Sequence, residues 1–415
     1  MTEQKGSEGR RYDVAIIGGG LVGASLACAL APLGLNVALV EAVNFRAASQ
    51  PSYDDRTLAL SASSCKILQS LGVWSALQAN ATPIREIHVR ELDRPGRVVM
   101  DPAELGLDRF GHVVEARVFG AAMMDAMPRL ENLDFLCPAS VSQIDIGEEC
   151  ATVTYQEGGE ETSLKASLLV GADGANSFVR EALGIESERH DYRQSAIICN
   201  ITPEQDHRGR AFELFTPTGP FAVMPHVNGR CGLIWCVSSS EVDRMMEMSD
   251  QVFLEQAQQR FGSWLGDFLK LGRRSSYPLK LVRAMEDIRP RAVILGNAAH
   301  AIHPIGAQGF NLGLRDVAVL AEVLADEIKS AHPADFGSMK VLQRYSKWRE
   351  PDQRGTIAYS DGLARMFASP SPASATARTA GILAHAFIPA LRRQMAVRAM
   401  GFRGRTPRLA LGEPL

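Results

Sequence analysis

The sequence is short of several things that would define its class. It has no Cys-x-x-Cys pair, and its seven cysteines (Cys28, Cys65, Cys137, Cys150, Cys199, Cys231 and Cys236) are scattered along 415 residues. That excludes a disulfide framework and a zinc site built on paired cysteines. It has no surplus of either charge: 44 Lys and Arg stand against 47 Asp and Glu, a net charge of −3, which is not the basic excess of a nucleic-acid binder. Only 4 residues are Trp, and no two are neighbours. The polar start, Met1 to Arg11, has no apolar stretch of the signal-peptide kind, so the expected compartment is the reducing cytoplasm. With 46% hydrophobic and 22% charged residues, disorder is excluded as well.

One uncharged stretch, Val14 to Val40, is long enough to cross a bilayer, for which about 20 apolar residues suffice. Its glycines (Gly18, Gly19, Gly20, Gly23, Gly34) and Pro32 argue for strand, turn, helix and strand instead. Helices are expected at Ser61 to Leu71 and Arg117 to Leu130, with a β-meander from Leu133 to Val170. Between Arg193 and Leu281 short apolar runs, one pair joined by the hairpin signal Asn228-Gly229, predict a second, largely antiparallel sheet, and Met245 to Leu271 is expected to be helical beside it. The run AVIL before Gly296 restores the first pattern, Leu312 to Lys329 reads as an amphipathic helix, and the chain beyond Met339 reads as helical with a break at Ser369 to Ser374. The expected fold is α/β: a Rossmann-like dinucleotide domain at 1–85, 117–190 and 286–330, a substrate-side β segment at 86–116, an inserted β-sheet domain at 191–285, and C-terminal helices at 331–415.

Gly18-Gly19-Gly20-Leu21-Val22-Gly23 is a GxGxxG directly after a strand and opening a helix. Glycine there lets the backbone approach a pyrophosphate, whose charge faces the helix N-terminus. Glu41, about 20 residues on at the end of the next strand, can accept hydrogen bonds from a ribose. The motif fits NAD and FAD equally. Two later motifs follow apolar runs in the same way: Gly171-Ala172-Asp173-Gly174 and Gly296-Asn297-Ala298-Ala299-His300. His300 and His303 have no further ligand at metal spacing, and no metal is expected.

These three motifs, together with His303-Pro304-Ile305-Gly306-Ala307-Gln308-Gly309-Phe310-Asn311, resemble the class A flavoprotein aromatic hydroxylases over essentially the whole chain. Asp55-Arg56-Thr57-Leu58-Ala59-Leu60 and the stretch from Gly209 to Pro225 narrow the resemblance to the 2-polyprenyl-6-methoxyphenol hydroxylases of ubiquinone biosynthesis. Asn297 stands where sister enzymes of that pathway usually have Asp, which favours this group. The resemblance implies FAD, with Gly18, Gly20, Gly23 and Glu41 on its ADP half, Arg56 at the flavin, Arg117 and Asp173 at the pyrophosphate, and Asn297 at the ribityl chain. Pro304 would lie beside the reactive flavin edge, and Gly309, Phe310 and Asn311 would open a helix aimed at the pyrimidine ring. Arg56 and Arg117 also fit surface ion pairs.

Further implications are NADPH or NADH as electron donor, O2 as co-substrate, transfer through a C4a-hydroperoxyflavin, and a polyprenylated phenol as substrate. His303 and His226 are the candidate bases, although either also fits a structural role in a pocket wall. A halogenase or prenyl reductase on the same fold, or a flavoprotein scaffold among other ubiquinone-biosynthesis proteins, is the alternative; a halogenase would carry a WxWxIP segment, which this chain lacks. The tail of such a substrate belongs in a membrane. The apolar segment Gly381 to Met400, with Arg392, Arg393 and Arg398 and then Arg403, Arg405 and Arg408, is the candidate for peripheral contact with the inner membrane, with an ordinary solvated helix as its plainer reading.

Overall fold

The computed structural model describes residues 10–44, 56–369 and 371–415; Asp55 of the Asp-Arg-Thr motif lies outside them. Strand Arg10–Ile17 is buried from Val14 onward, as expected of a parallel strand covered on both faces. It pairs in parallel with Val37–Val40 on one side and Glu160–Gly171 on the other. Leu133–Leu136 and Ala292–Ile294 extend the parallel core outward. The chain thus returns to this sheet twice, because Glu160–Gly171 and Ala292–Ile294 both bring apolar runs back beside the first strand. Strands Ala139–Ile146 and Ala151–Glu157 form the expected antiparallel meander between them.

Helix Leu21–Leu30 and the longer helix Gln308–Ser330 pack over one face of this sheet, sharing a core with Leu39, Leu168 and Val293. The long helix begins at Gln308, earlier than the periodicity suggested, because its first turn carries polar Gln308 and Asn311 in buried positions.

The second sheet has nine strands, all paired antiparallel except Arg210–Thr216 against Glu86–Glu91. Asn228 and Gly229 both take positive φ, 61° and 67°, in the tight turn between Gly219–Pro225 and Cys231–Ser238. The stretch expected to be helical through Leu271 is only partly so. Helices Val242–Glu247 and Asp250–Phe261 end at Gly262, with φ +84°, and Phe268–Leu271 becomes a strand paired with Ser187–Pro203. The C-terminal region is helical at Met339–Ala368, Pro372–Phe387, Pro389–Ala399 and Arg408–Leu411. Among the described residues no helix is long and apolar enough to cross a membrane.

Four charged groups lock the long helices together. Arg349 binds Asp316 and Asp352, each at 2.7 Å, and Arg315 binds Asp352 at 2.7 Å, all four being buried. Asp316 also accepts from the backbone N–H of Gly296 at 3.1 Å and meets His300 at 2.7 Å. The Gly296–His300 loop is therefore fastened to the helix behind it. Burial alone would raise the Asp316 carboxyl, but the His300 ring and the Arg349 guanidinium hold it well below the usual carboxylate range.

Candidate active site

A single large cavity of about 1620 Å³ runs from the ends of the parallel strands to the second sheet and the C-terminal helices. Pockets for one small ligand are roughly 300–1,000 Å³. This one has room for a dinucleotide and a second molecule.

At the strand end, the backbone requires glycine. Gly18 has φ +103°, and a Cβ there would sit 2.5 Å from the Ala172 carbonyl; a Cβ on Gly23 would sit 1.9 Å from the Gly18 carbonyl. Gly20 caps helix Leu21–Leu30 and lines the cavity, so the helix N-terminus opens into it. Glu41 is oriented by the glycine turn itself, accepting from Gly19 N–H at 2.6 Å and Val43 N–H at 2.8 Å, one bond per carboxylate oxygen. Each oxygen retains a lone pair for a ribose hydroxyl. Asp173 accepts from Val179 N–H at 3.0 Å through Oδ2, while its Oδ1 is buried without a hydrogen-bond partner. An orphaned buried acceptor on a cavity wall calls for a ligand donor. With the glycine cradle and Glu41, it fits the ADP half of FAD.

The remaining expected residues divide. Arg56, Asn297, Pro304, Gly309, Phe310 and Asn311 line the same cavity, with Asn297 exposed in its wall and Arg56 5.3 Å from the centre of the Tyr277 ring. The Asn311 side chain is already engaged: it donates to the Ala59 and Ala307 carbonyls, each at 2.8 Å, and accepts from Ser61 N–H at 2.9 Å. What Asn311 and Gly309 offer a ligand is the backbone of the first helical turn, which opens after Gly306 and Ala307, both at positive φ.

Arg117 does not line the cavity; its guanidinium pairs with the buried carboxylate of Glu115, which also takes Arg230 at 3.2 Å.

Neither candidate histidine lines the cavity. His226 is buried against Thr57 Oγ1 at 3.0 Å, and His303 faces Gln194 Oε1 at 3.1 Å. Burial first, and for His226 the nearby Arg230, pushes each ring down to about 4, so both are neutral, buried residues at pH 7.

The far end of the cavity is a sheet face. Paired residues Val98, Val89, Glu213, Ala222, Ile234 and Ile198 form one continuous row across six strands, and all line the cavity. At about 4.8 Å per strand the row spans roughly 24 Å. Helices Met339–Ala368, Pro372–Phe387 and Pro389–Ala399 cover it with Leu363, Phe367, Ile382, Leu391 and Met395. These helices and Glu213 are the parts of the site that the motifs did not reveal.

The C-terminal segment is less of a free basic face than its sequence suggests. Arg392 binds Glu104 at 2.8 Å, Arg408 binds Asp326 at 2.8 Å, and Arg405 stacks on Trp348 at 3.6 Å. What is left open is mixed: Arg393 and Arg398 are exposed, beside apolar Phe387 at 78% and Ile388 at 47%.

The comparisons agree with this geometry. A family model described as "FAD binding domain" matches residues 11–357. The chain is 35% identical over 413 residues to the ubiquinone hydroxylase UbiL of Rhodospirillum rubrum, covering 99% of this chain and 95% of the relative. It is 33% identical over 393 residues to the 3-demethoxyubiquinol 3-hydroxylase of Escherichia coli, covering 94% and 98%. Among solved structures, p-nitrophenol 4-monooxygenase PnpA from Pseudomonas putida superposes with a TM-score of 0.79 at 20% identity, covering 95% of this chain and 100% of that one, a likeness of fold. The chain belongs to the FAD binding domain family, and within it to the class A FAD-dependent aromatic-ring hydroxylases.

Proposed function

We propose that this protein hydroxylates the ring of a polyprenylated phenol, 2-polyprenyl-6-methoxyphenol, in ubiquinone biosynthesis, with O2 as co-substrate and NADPH or NADH as electron donor. The observation that carries the reading is the continuity of one cavity from the glycine cradle to an apolar sheet floor. FAD, when bound, supplies the activation of O2. The chain supplies placement: Gly18, Gly20 and Gly23 let the backbone meet the pyrophosphate, Glu41 holds the ribose, and Asp173 and Asn297 accept hydrogen bonds farther along. Arg56 approaches the flavin, Arg117 pairs with Glu115 outside the cavity, and Pro304 with the turn of Gly309, Phe310 and Asn311 borders the reacting edge. Segment 191–285 serves as the substrate layer. The row from Val98 to Ile198, roofed by the C-terminal helices, accommodates the prenyl tail and keeps water from the reacting atoms.

The names of the R. rubrum and E. coli relatives support a substrate of the ubiquinone series. A tail of that kind has to be drawn from a lipid phase, and the exposed Phe387-Ile388 turn, between the two helices that cover the cavity, suits contact with the membrane surface. The direct test is incubation of FAD-loaded protein with 2-farnesyl-6-methoxyphenol, NADPH and 18O2. A product one 18O heavier supports the reading; NADPH consumption that the phenol never converts to hydroxylated product refutes it.

A further inference from the structure

A phenol that is hydroxylated on its ring becomes a better nucleophile as its hydroxyl loses a proton, so the cavity needs an acceptor near the reacting edge. Neither histidine that the motifs suggested lines the cavity: His226 stands behind Thr57, and His303 bonds Gln194. Strand Arg210–Thr216 supplies another group. Its residues Ala211, Glu213 and Phe215 line the cavity, while Leu214 enters the core behind and Phe212 belongs to that core and borders the cavity as well. Glu213 is the sole ionisable member of the six-residue row that forms the floor, flanked by Val89 and Ala222. A carboxyl set into an apolar wall costs free energy unless something occupies it.

Its position is tied to the reacting edge. Glu213 Oε1 accepts from the backbone N–H of Gly306 at 3.3 Å, in the turn that follows Pro304. We propose that Glu213 holds the phenolic hydroxyl of the substrate and accepts its proton during ring hydroxylation, an inference that rests on the function proposed above. The phenol O–H bond breaks with its electron pair left on oxygen, and the proton forms a new O–H bond on the Glu213 carboxylate. When the ring regains aromaticity, the hydroxylated carbon releases its proton to solvent. The phenolic oxygen then takes one back from the Glu213 carboxyl, which is left ionised for the next turnover.

The surroundings suit that task. Burial pushes the Glu213 carboxyl up to about 7, opposed only by the Gly306 N–H. The titratable groups that feel its charge are Tyr359 of helix Met339–Ala368 and Cys236 of strand Cys231–Ser238, both themselves pushed up, first by burial and then by Glu213. From helix Pro389–Ala399, Arg398 acts on Tyr359 in the opposite sense. With Tyr359 raised to about 12 and the Cys236 thiol raised further, Glu213 is the acceptor among them that changes state near neutral pH.

The test compares wild type, Glu213→Gln and Glu213→Asp as FAD-loaded proteins with 2-farnesyl-6-methoxyphenol. Wild-type product formation should rise with pH along a limb centred near 7. In Glu213→Gln it should fall about 100-fold and lose that limb, since a general base contributes roughly 10²–10⁴-fold. Bound flavin should change little, the dissociation constant of the phenol should rise far less than the rate falls, and Glu213→Asp should restore part of the rate. Infrared titration without substrate should show a carboxyl C=O band with a midpoint near 7 that Glu213→Gln removes. Unchanged rate and pH profile in Glu213→Gln, or no such band, would overturn the assignment while leaving ring hydroxylation standing. A wild type that hydroxylates nothing would overturn both.

Discussion

Acid should weaken this protein through two buried histidines. His303 and His226 are 1% and 3% exposed, and burial lowers each ring from 6.5 to about 4. In the unfolded chain both rings take up a proton as pH falls through 6.5, whereas the folded chain refuses it until about 4. Stability is therefore whole above pH 6.5 and declines between 6.5 and 4. The slope is about 1.4 kcal/mol per pH unit for each ring. From 6.5 to about pH 5 each histidine withdraws about 2 kcal/mol, a sizeable part of a typical net stability of about 5–15 kcal/mol. His303→Gln isolates one of the two, because a glutamine amide can donate to Gln194 Oε1 as the ring now does at 3.1 Å. Urea unfolding at about pH 7.5 and about pH 5 should show the wild type losing about 2 kcal/mol more than the variant. Equal losses in the two proteins would mean that His303 titrates normally in the fold, and the reasoning from burial would fail.

Three other outcomes follow from the same structure. Gly23→Ala places a Cβ 1.9 Å from the Gly18 carbonyl, so the purified variant should come out colourless where wild type is yellow, as read by flavin absorbance; Gly20→Val should do the same by blocking approach to the pyrophosphate. Asp352→Ala leaves Arg315 and Arg349 buried without their shared carboxylate and should cost about 3–5 kcal/mol, seen as a lowered Tm. Ala222→Trp fills the floor beside Glu213, where the phenol ring is proposed to sit, and should raise KM for long- and short-tailed phenols alike in steady-state assays.

The parts of the site that could be read from the sequence are those in which backbone geometry dictates residue type. Gly18 and Gly23 tolerate no Cβ, and Glu41 lies one strand away from the turn that it braces, so spacing alone located the cradle. Side-chain direction was not legible in that way. His226 and His303 stand inside motifs, yet neither lines the cavity, and their rings bond Thr57 and Gln194. Arg117 starts its helix as expected but bonds Glu115. Glu213 did leave a trace, a carboxylate between the apolar Phe212 and Leu214, but its meaning depended on which face of the second sheet meets the flavin side. The Arg315, Asp316, Arg349 and Asp352 cluster joins two consecutive helices, and neither helix shows it alone. The helices beyond Met339 were expected, but their role as the cavity roof depends on how they fold back.

The proposed oxygen transfer requires one cavity to bring FAD and a prenylated phenol together. Mass spectrometry of the product formed from 2-farnesyl-6-methoxyphenol by the FAD-loaded enzyme, NADPH and 18O2 reads whether that transfer occurs. A single ring hydroxyl carrying 18O is expected. A protein that binds FAD and phenol together yet returns the phenol unchanged, with all reducing equivalents recovered as hydrogen peroxide, would contradict it.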